Sequence, residues 1–355
     1  MSKTNDKLRM LASLIPEQPP PTHVVLMPDF FLDHFLYYPK NLDQFFDDFS
    51  GVFNRGGGEI SGYEQRLAAG GNAVNTSSAL ASLGARVTAI VRTSPLGFKI
   101  LQELLGPKGV DLSMVHTDGE LSLALNIEVE RVNVMFGDPK GLDFPFKNLE
   151  PRELYTIKHA DFVGVFNWLY NRSGTDLAEN VFRYVKTNGV GKTVLDISDP
   201  QPRLQDLPKL IERVLAPSLV DILCVNENEA YFLACQLDES LKSPRHMGSE
   251  YAVFMAKKIS ENIRSRVDLH TASYSISAQG GEVIARAPSF RVEIKRVTGA
   301  GDAWTAGNMI GEAIGLPDEY RLYLANAVAA LYLSQPDAKH PSLGEVKSFI
   351  QRAIS

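Results

Sequence analysis

The chain has only two cysteines in 355 residues, Cys224 and Cys235. Both stand in apolar surroundings, which excludes a disulfide framework and points to a reducing interior. No Lys/Arg-rich run or basic–aromatic interleaving occurs, and the formal net charge is −6. Nucleic-acid binding therefore finds no support. No uninterrupted apolar run approaches a bilayer span, and the N-terminus lacks a signal-peptide core. The expectation is a soluble, cytoplasmic protein with neither nucleic acid nor membrane as partner. Two nucleotide-binding signatures are also missing. Neither Gly70-Gly71 nor Gly299-Ala300-Gly301 fits the dinucleotide fingerprint, and Gly191-Lys192-Thr193 lacks the upstream glycine of a Walker A loop.

What is present is an ordinary globular composition, 44% hydrophobic, with strand and helix patterns in alternation. Residues 1–15 read as a short amphipathic helix stopped by Pro16 and Pro19–Pro21, so 1–22 is taken as an N-terminal arm. Val24–Met27, Arg86–Val91, Ala160–Phe166, Thr193–Ile197, Asp221–Val225, Leu269–Ser277 and Glu282–Ala287 read as strands. Helical patterns fall near 97–105, 175–187, 204–215, 227–236, 250–264, 303–315, 319–334 and 343–353, and 237–249 reads as a loop. This alternation predicts an α/β fold with a mainly parallel sheet and helices on both faces. Leu123, Leu125, Ile127 and Val129 share one face of a strand, and Val132, Val134 and Phe136 continue it after a phase change at Glu130-Arg131. That shift predicts a hairpin or bent strand whose polar face is partly exposed.

Two glycine-rich stretches carry the chemistry. Gly70 and Gly71 open a helix of small residues that ends at Gly84. Gly299-Ala300-Gly301-Asp302 opens another, with Ala303, Ala306, Met309, Ile310, Ala313 and Ile314 at helical spacing. Such a start lets bare backbone approach a ligand and favours anions. Asp302 beside a bound phosphate reads as a base for an attacking hydroxyl, or equally as a plain helix cap. Asn226 and Glu229 have the spacing of a capping box, on one face of a first helical turn.

Gly70-Gly71-Asn72-Ala73-Val74-Asn75, Asp199-Pro200-Gln201-Pro202-Arg203, Asn226-Glu227-Asn228-Glu229 and Val297-Thr298-Gly299-Ala300-Gly301-Asp302 stand in one order along the chain. In that set and order the chain resembles the ribokinase-like (PfkB-type) carbohydrate kinases over about residues 24–345. The resemblance implies a three-layer sandwich over 23–355 with a small β lid at about 34–66 and 121–136. It implies ATP-dependent phosphorylation of a sugar or sugar derivative. Asp302 would be the base, and Gly299, Ala300 and Gly301 the anion hole. Asp33, Gly70, Gly71 and Asn75 would meet the acceptor. Asn226, Thr271, Ser273, Thr298 and Asn326 fall on the nucleotide side, and Asn226 with Glu229 would organise Mg²⁺. A monovalent cation such as K⁺ and a homodimer through the lid are further implications. A nucleoside kinase, an ADP-dependent sugar kinase and a catalytically weak nucleotide- or sugar-binding sensor are the alternatives. Two departures from the family pattern stand out: Arg92-Thr93-Ser94-Pro95 replaces Gly-Asp, and Leu269–Ser275 lacks the usual glycines. Arg131 and Arg203 are candidates for a phosphate or carboxylate contact, and His270 reads as a satisfied strand histidine.

Overall fold

The computed structural model describes residues 3–130, 132–242, 249–296, 298–337 and 339–354. Among them, twelve strands form two sheets. The strands are β1 (His23–Met27), β2 (Phe31–Tyr38), β3 (Glu64–Gly70), β4 (Arg86–Ala89), β5 (Ser122–Val129), β6 (Val132–Asp138), β7 (Phe162–Val165), β8 (Lys192–Asp196), β9 (Ile222–Val225), β10 (Arg266–His270), β11 (Tyr274–Gln279) and β12 (Glu282–Pro288).

The main sheet runs β12-β11-β10-β9-β8-β7-β1-β4, parallel from β4 to β10, with β11 and β12 antiparallel at one edge. Its central strands are buried on both faces because successive side chains enter two separate cores. Val24 and Leu26 pack with helices Asn72–Ser82, Ala300–Ile314 and Asp318–Leu333, while Val25 and Met27 pack with Gly174–Asn188 and Ser249–Asn262. This is why β1, β7 and β9 are unbroken apolar runs. From β1 the chain crosses to β4 on one side and to β7 on the other, which places the sheet's reversal point, and hence a ligand crevice, at the carboxyl ends of these strands.

The amphipathic segment of the 1–22 arm forms helix Lys3–Leu14. It docks on its own chain, burying Leu8, Leu11, Ala12 and Ile15 with the helices Asp318–Leu333 and Leu343–Arg352. The segment 269–277, read as one strand, is two: Thr271 Oγ1 accepts from the N–H groups of Ser273 and Tyr274 and turns β10 back into β11. The 204–215 segment is a broken helix of three short pieces. Arg131 and residues 243–248 of the expected loop lie outside the described residues.

The second sheet, β3-β2-β5-β6, covers the carboxyl end of the first. β5 and β6 pair as the expected hairpin, with Leu125 opposite Phe136 and Ile127 opposite Val134. Which side faces solvent is the reverse of the expectation. The polar side, with Asp33 and Asn126 buried and Asn133 bonded inward, roofs the crevice. The apolar side points out, leaving Leu67, Val132, Val134 and Phe136 more than half exposed. A lid over a polar crevice must turn polar groups inward. Between β2 and β3 lies helix Leu42–Asn54, closed by an Asn41–Gln44 capping box and exposing Phe46, Phe49 and Phe53.

Candidate functional site

Gly299 adopts a left-handed conformation (φ 88°), and a Cβ there would lie 2.5 Å from the Tyr332 hydroxyl. Only glycine meets both conditions, and the bend it makes aims helix Ala300–Ile314 by its N-terminus at the crevice. The first-turn amides of Ala300, Gly301 and Asp302 have no acceptor within the helix, so they form an anion-binding end. The Asp302 carboxylate is buried and accepts a hydrogen bond from Asn75 Nδ2 at 3.1 Å. Burial pushes its pKa well above the ordinary carboxylate value, and the charges of Asp196, Asp29 and Asp33 add to this while Asn75 opposes it.

Asn75 stands on helix Asn72–Ser82, whose start is built by Asp29. That buried carboxylate accepts from the Asn72 and Ala73 amides at 2.7 and 2.9 Å and from Asn167 Nδ2 at 2.8 Å. Gly71 (φ 95°) passes so close that a Cβ would meet the Asp29 carboxylate at 2.6 Å. Gly70 lies against Asp33, where a Cβ would meet the carboxyl carbon at 2.2 Å. The two glycines thus give room to two acids. Burial, with repulsion from Asp29, pushes Asp33 up to about 7, against the pull of Arg296.

Asp33, Gly71, Asn75, Thr298, Gly299, Gly301 and Asp302 all line one cavity of about 460 Å³, and Asn226, Glu229, Asp196 and Asp199 line it too. Asn226 and Glu229 form the reciprocal cap in full: Asn226 Oδ1 accepts from the Asn228 and Glu229 amides, and Glu229 Oε2 accepts from the Asn226 amide at 2.9 Å. The plain capping reading is therefore correct, and the same geometry holds Glu229 on the wall of the cavity that Asp302 also lines. Burial raises the Glu229 pKa well above normal, and Asp196 and Asp199 add to it. Asp196, at the end of β8, is pushed up to about 6 by burial and by Asp29.

Asp29 and Asp196 are site residues that sequence reasoning missed. Asp29 after a strand looks like a surface turn residue and Asp196 like the polar end of one, and only the strand order β8-β7-β1 brings the two ends to one crevice. No group of three or more His, Cys, Asp or Glu close enough to cage a metal occurs among the described residues. The carboxylates of Asp196, Glu229 and Asp302 are nevertheless buried oxygen donors, with half-buried Asn226 and exposed Asp199 beside them, an acidic set that fits a hard cation arriving with its own waters and phosphate ligands.

A second cleft of about 650 Å³ shares Asn226, His270 and Gly301 with the first and is lined mainly by apolar residues, among them Phe290, Trp304 and Leu333. Of the residues expected on the nucleotide side, Asn226, Thr271 and Asn326 line this cleft, and Ser273 and Thr298 do not. Ser273 lies exposed in the β10–β11 turn. Thr298 belongs to the first cavity, where its Oγ1 accepts from Asn133 of the second sheet at 3.2 Å. Asn326 spends its amide on Trp304 Nε1 (2.8 Å) and on the Ala287 and Pro288 carbonyls.

His270 sits at the junction of the two cavities, stacked on Trp304 at 5.0 Å. Burial lowers its pKa to about 4, so it is neutral, and its Nδ1 is unpaired, unlike the satisfied strand histidine expected. Arg203 is engaged by its own chain rather than lining either cavity. It binds the Trp168, Asn171 and Arg172 carbonyls and Asp206, and lies over the Trp168 ring. Arg92-Thr93-Ser94-Pro95 is also structural: Ser94 caps helix Pro95–Leu105, and Arg92 pairs with Asp118.

No curated protein matches the sequence. Solved structures do match in fold. Arabidopsis thaliana ribokinase, complexed with ribose and ATP, has a TM-score of 0.72 at 20% identity over 93% of this chain and 99% of its own. A protein from E. coli designated ribokinase II, in complex with ATP and Mg²⁺, gives 0.69 at 17% over 94% and 100%. Adenosine kinase from Sinorhizobium meliloti gives 0.69 at 17% over 94% and 99%. The profile of the pfkB family of carbohydrate kinases matches residues 53–343, spanning both glycine stretches and the Asn226–Glu229 cap. The chain belongs to the pfkB family of carbohydrate kinases.

Proposed function

We propose that the protein transfers the γ-phosphoryl group of ATP to a hydroxyl of a sugar or sugar derivative, with Asp302 as general base. One observation carries the reading. Asp302 is buried in the first turn of a helix and lines an acceptor cavity with Asp33 and Asn75, while Gly301, one residue before it, also lines an apolar cleft fit for a nucleobase. In such a site the Asp302 carboxylate takes the proton of the attacking hydroxyl. The amides of Ala300, Gly301 and Asp302 stabilise charge on the phosphoryl oxygens. Asp33 and Asn75 orient the acceptor, and the lid excludes water that would otherwise hydrolyse the donor.

Mg²⁺ would be held through Asn226 and Glu229, with Asp196 nearby, and would supply charge neutralisation on the donor phosphates. Glu229→Gln keeps the capping geometry and removes one charge. Its expected outcome is an increase of about tenfold in the Mg²⁺ concentration giving half-maximal rate, read from initial rates at fixed ATP. An unchanged Mg²⁺ dependence rejects the assignment. The monovalent cation is tested in the same assay: a rate drop when K⁺ is exchanged for tetramethylammonium supports it.

The outward apolar face of the lid supports a homodimer formed through it. Val132, Val134 and Phe136 on the lid are exposed apolar side chains, as are Phe46, Phe49 and Phe53 on helix Leu42–Asn54, and exposed apolar surface of this kind marks an interface. Phe136→Asp is expected to halve the mass measured by light scattering on the eluting protein. A wild-type monomer at micromolar concentration contradicts this. The matched assay for the reaction itself pairs sugars and nucleosides with ATP and with ADP. Product from ADP alone favours the ADP-dependent alternative, and phosphorylation of nucleosides alone favours the nucleoside kinase. Binding without turnover favours the sensor.

A further inference from the structure

Beyond Asp33 the acceptor cavity opens into a third space of about 280 Å³, sharing Asp33, Asn75 and Thr298 with it. Three cations line this space: Arg66 from the lid strand β3, Lys108 after helix Pro95–Leu105, and Arg296 before the catalytic loop. Among the described residues, none of the three has a carboxylate within 4 Å, whereas many of the chain's other basic side chains are paired.

Each is held in place by uncharged partners. Arg66 donates to the Pro336 and Asp337 carbonyls. Arg296 lies over the Tyr332 ring at 4.7 Å and donates to the Thr298 carbonyl. Lys108 keeps its stem at the surface and tucks its ammonium against Ser78 Oγ at 2.8 Å. Ser78 Oγ in turn contacts His340 Nδ1 at 2.9 Å. With the lysine donating, the hydroxyl donates on to Nδ1, which leaves the proton of His340 on Nε2. That nitrogen is buried without a partner. Burial, with Lys108 and Arg296 nearby, takes the His340 pKa down to about 3, so it remains a neutral donor. The carboxylates on the lining other than Asp33 are Glu103 and Asp337, which are exposed and pair with none of the three cations.

Arg66 and Arg296 are half-buried, and a half-buried cation without a paired carboxylate is costly unless a ligand supplies one. An acceptor with its reacting hydroxyl at Asp302 and its middle at Asp33 and Asn75 projects its far end into this space. Resting on the phosphotransferase reading above, we infer that the acceptor carries an anionic group, a carboxylate or a phosphate, at the end remote from the phosphorylated hydroxyl, and that Lys108, Arg296 and Arg66 bind it. Guanidinium and ammonium groups suit either anion.

The test compares matched acceptors with the full-length protein, ATP and Mg²⁺: glucose against gluconate, and fructose against fructose 1-phosphate. The expected result is a kcat/KM at least about thirtyfold higher for one anionic member of a pair, and which pair responds separates carboxylate from phosphate. In Lys108→Met and in Arg296→Met that preference is expected to fall tenfold or more, and Lys108→Arg restores it. Equal or better use of the neutral members, or a preference unmoved by Lys108→Met, overturns the inference. Calorimetry of the same compounds on Asp302→Asn keeps it separate from the catalytic reading. Anion binding that survives there and is lost on adding Lys108→Met upholds the subsite even where no acceptor is turned over. Absence of any anion binding in both proteins overturns it.

Discussion

Asp302→Asn is expected to lower kcat by about a thousandfold or more while nucleotide affinity changes less than about threefold, since general-base catalysis contributes roughly 10²–10⁴ in rate. The substitution keeps the volume and an oxygen facing Asn75 Nδ2, so the cavity is preserved and the lost property is proton acceptance. The wild-type pH profile gives a second handle. Because burial and neighbouring acids raise the Asp302 pKa, the free protein carries a protonated Asp302 at pH values where an ordinary aspartate is ionised. The acid limb of kcat/KM therefore lies well above pH 4, and activity rises with pH through the raised pKa. Burial and the charge of Asp29 raise Asp33 as well, to about 7, so its titration contributes to the acid limb too. Asp33→Asn should act chiefly on the acceptor KM, and Asp302→Asn on kcat.

The second large effect concerns the frame behind the site. Arg321, fully buried, donates to Asp268 at 3.0 Å, to Ser277 and Asp318 at 2.8 Å, and to Asn308. Asp268 is also paired with Arg266, which reaches Glu312 at 2.8 Å. This network ties β10 and β11 to the helices Ala300–Ile314 and Asp318–Leu333, so it fixes the angle at which Asp302 enters the crevice. Burial alone would push Asp268 up, but Arg321 and Arg266 outweigh it and hold the carboxyl at about 2. The sign follows: its contribution is full above the ordinary value near pH 4 and is lost as pH falls toward 2. Arg321→Met leaves Asp268 with one cation fewer in a dry interior, and the expected cost is roughly 3–5 kcal/mol. Denaturant unfolding measures this. A loss below about 1 kcal/mol would show that the network is dispensable.

Much of this was legible in the sequence, for reasons that differ by element. The loop 299–302 was readable because two glycines, an acid and a 3.6-residue apolar pattern are local. The parallel sheet was readable because buried strands are unbroken apolar runs. Asp29 and Asp196 were not, since their partners are 138 and 124 residues away, at Asn167 and Asn72. The lid hairpin was found from its alternation, but a period of two marks two faces without saying which one meets water. Its apolar side is outermost because the other side roofs a polar crevice. The β10–β11 turn hid inside a segment read as one strand because a threonine side chain makes it, with no glycine or proline to mark it. Helix Leu42–Asn54 had a readable signal in Leu42, Phe45, Phe46, Phe49 and Phe53 and in the Asn41–Gln44 cap.

Phosphoryl transfer to a sugar is tested by following both products of one reaction. Wild-type protein with ATP, Mg²⁺ and a panel of neutral and anionic sugars is expected to release one ADP for each acceptor phosphomonoester identified by mass spectrometry. Asp302→Asn is expected to bind ATP and form neither product at a comparable rate. ADP formed without a phosphorylated acceptor, or an Asp302→Asn variant that turns over at the wild-type rate, would contradict the account.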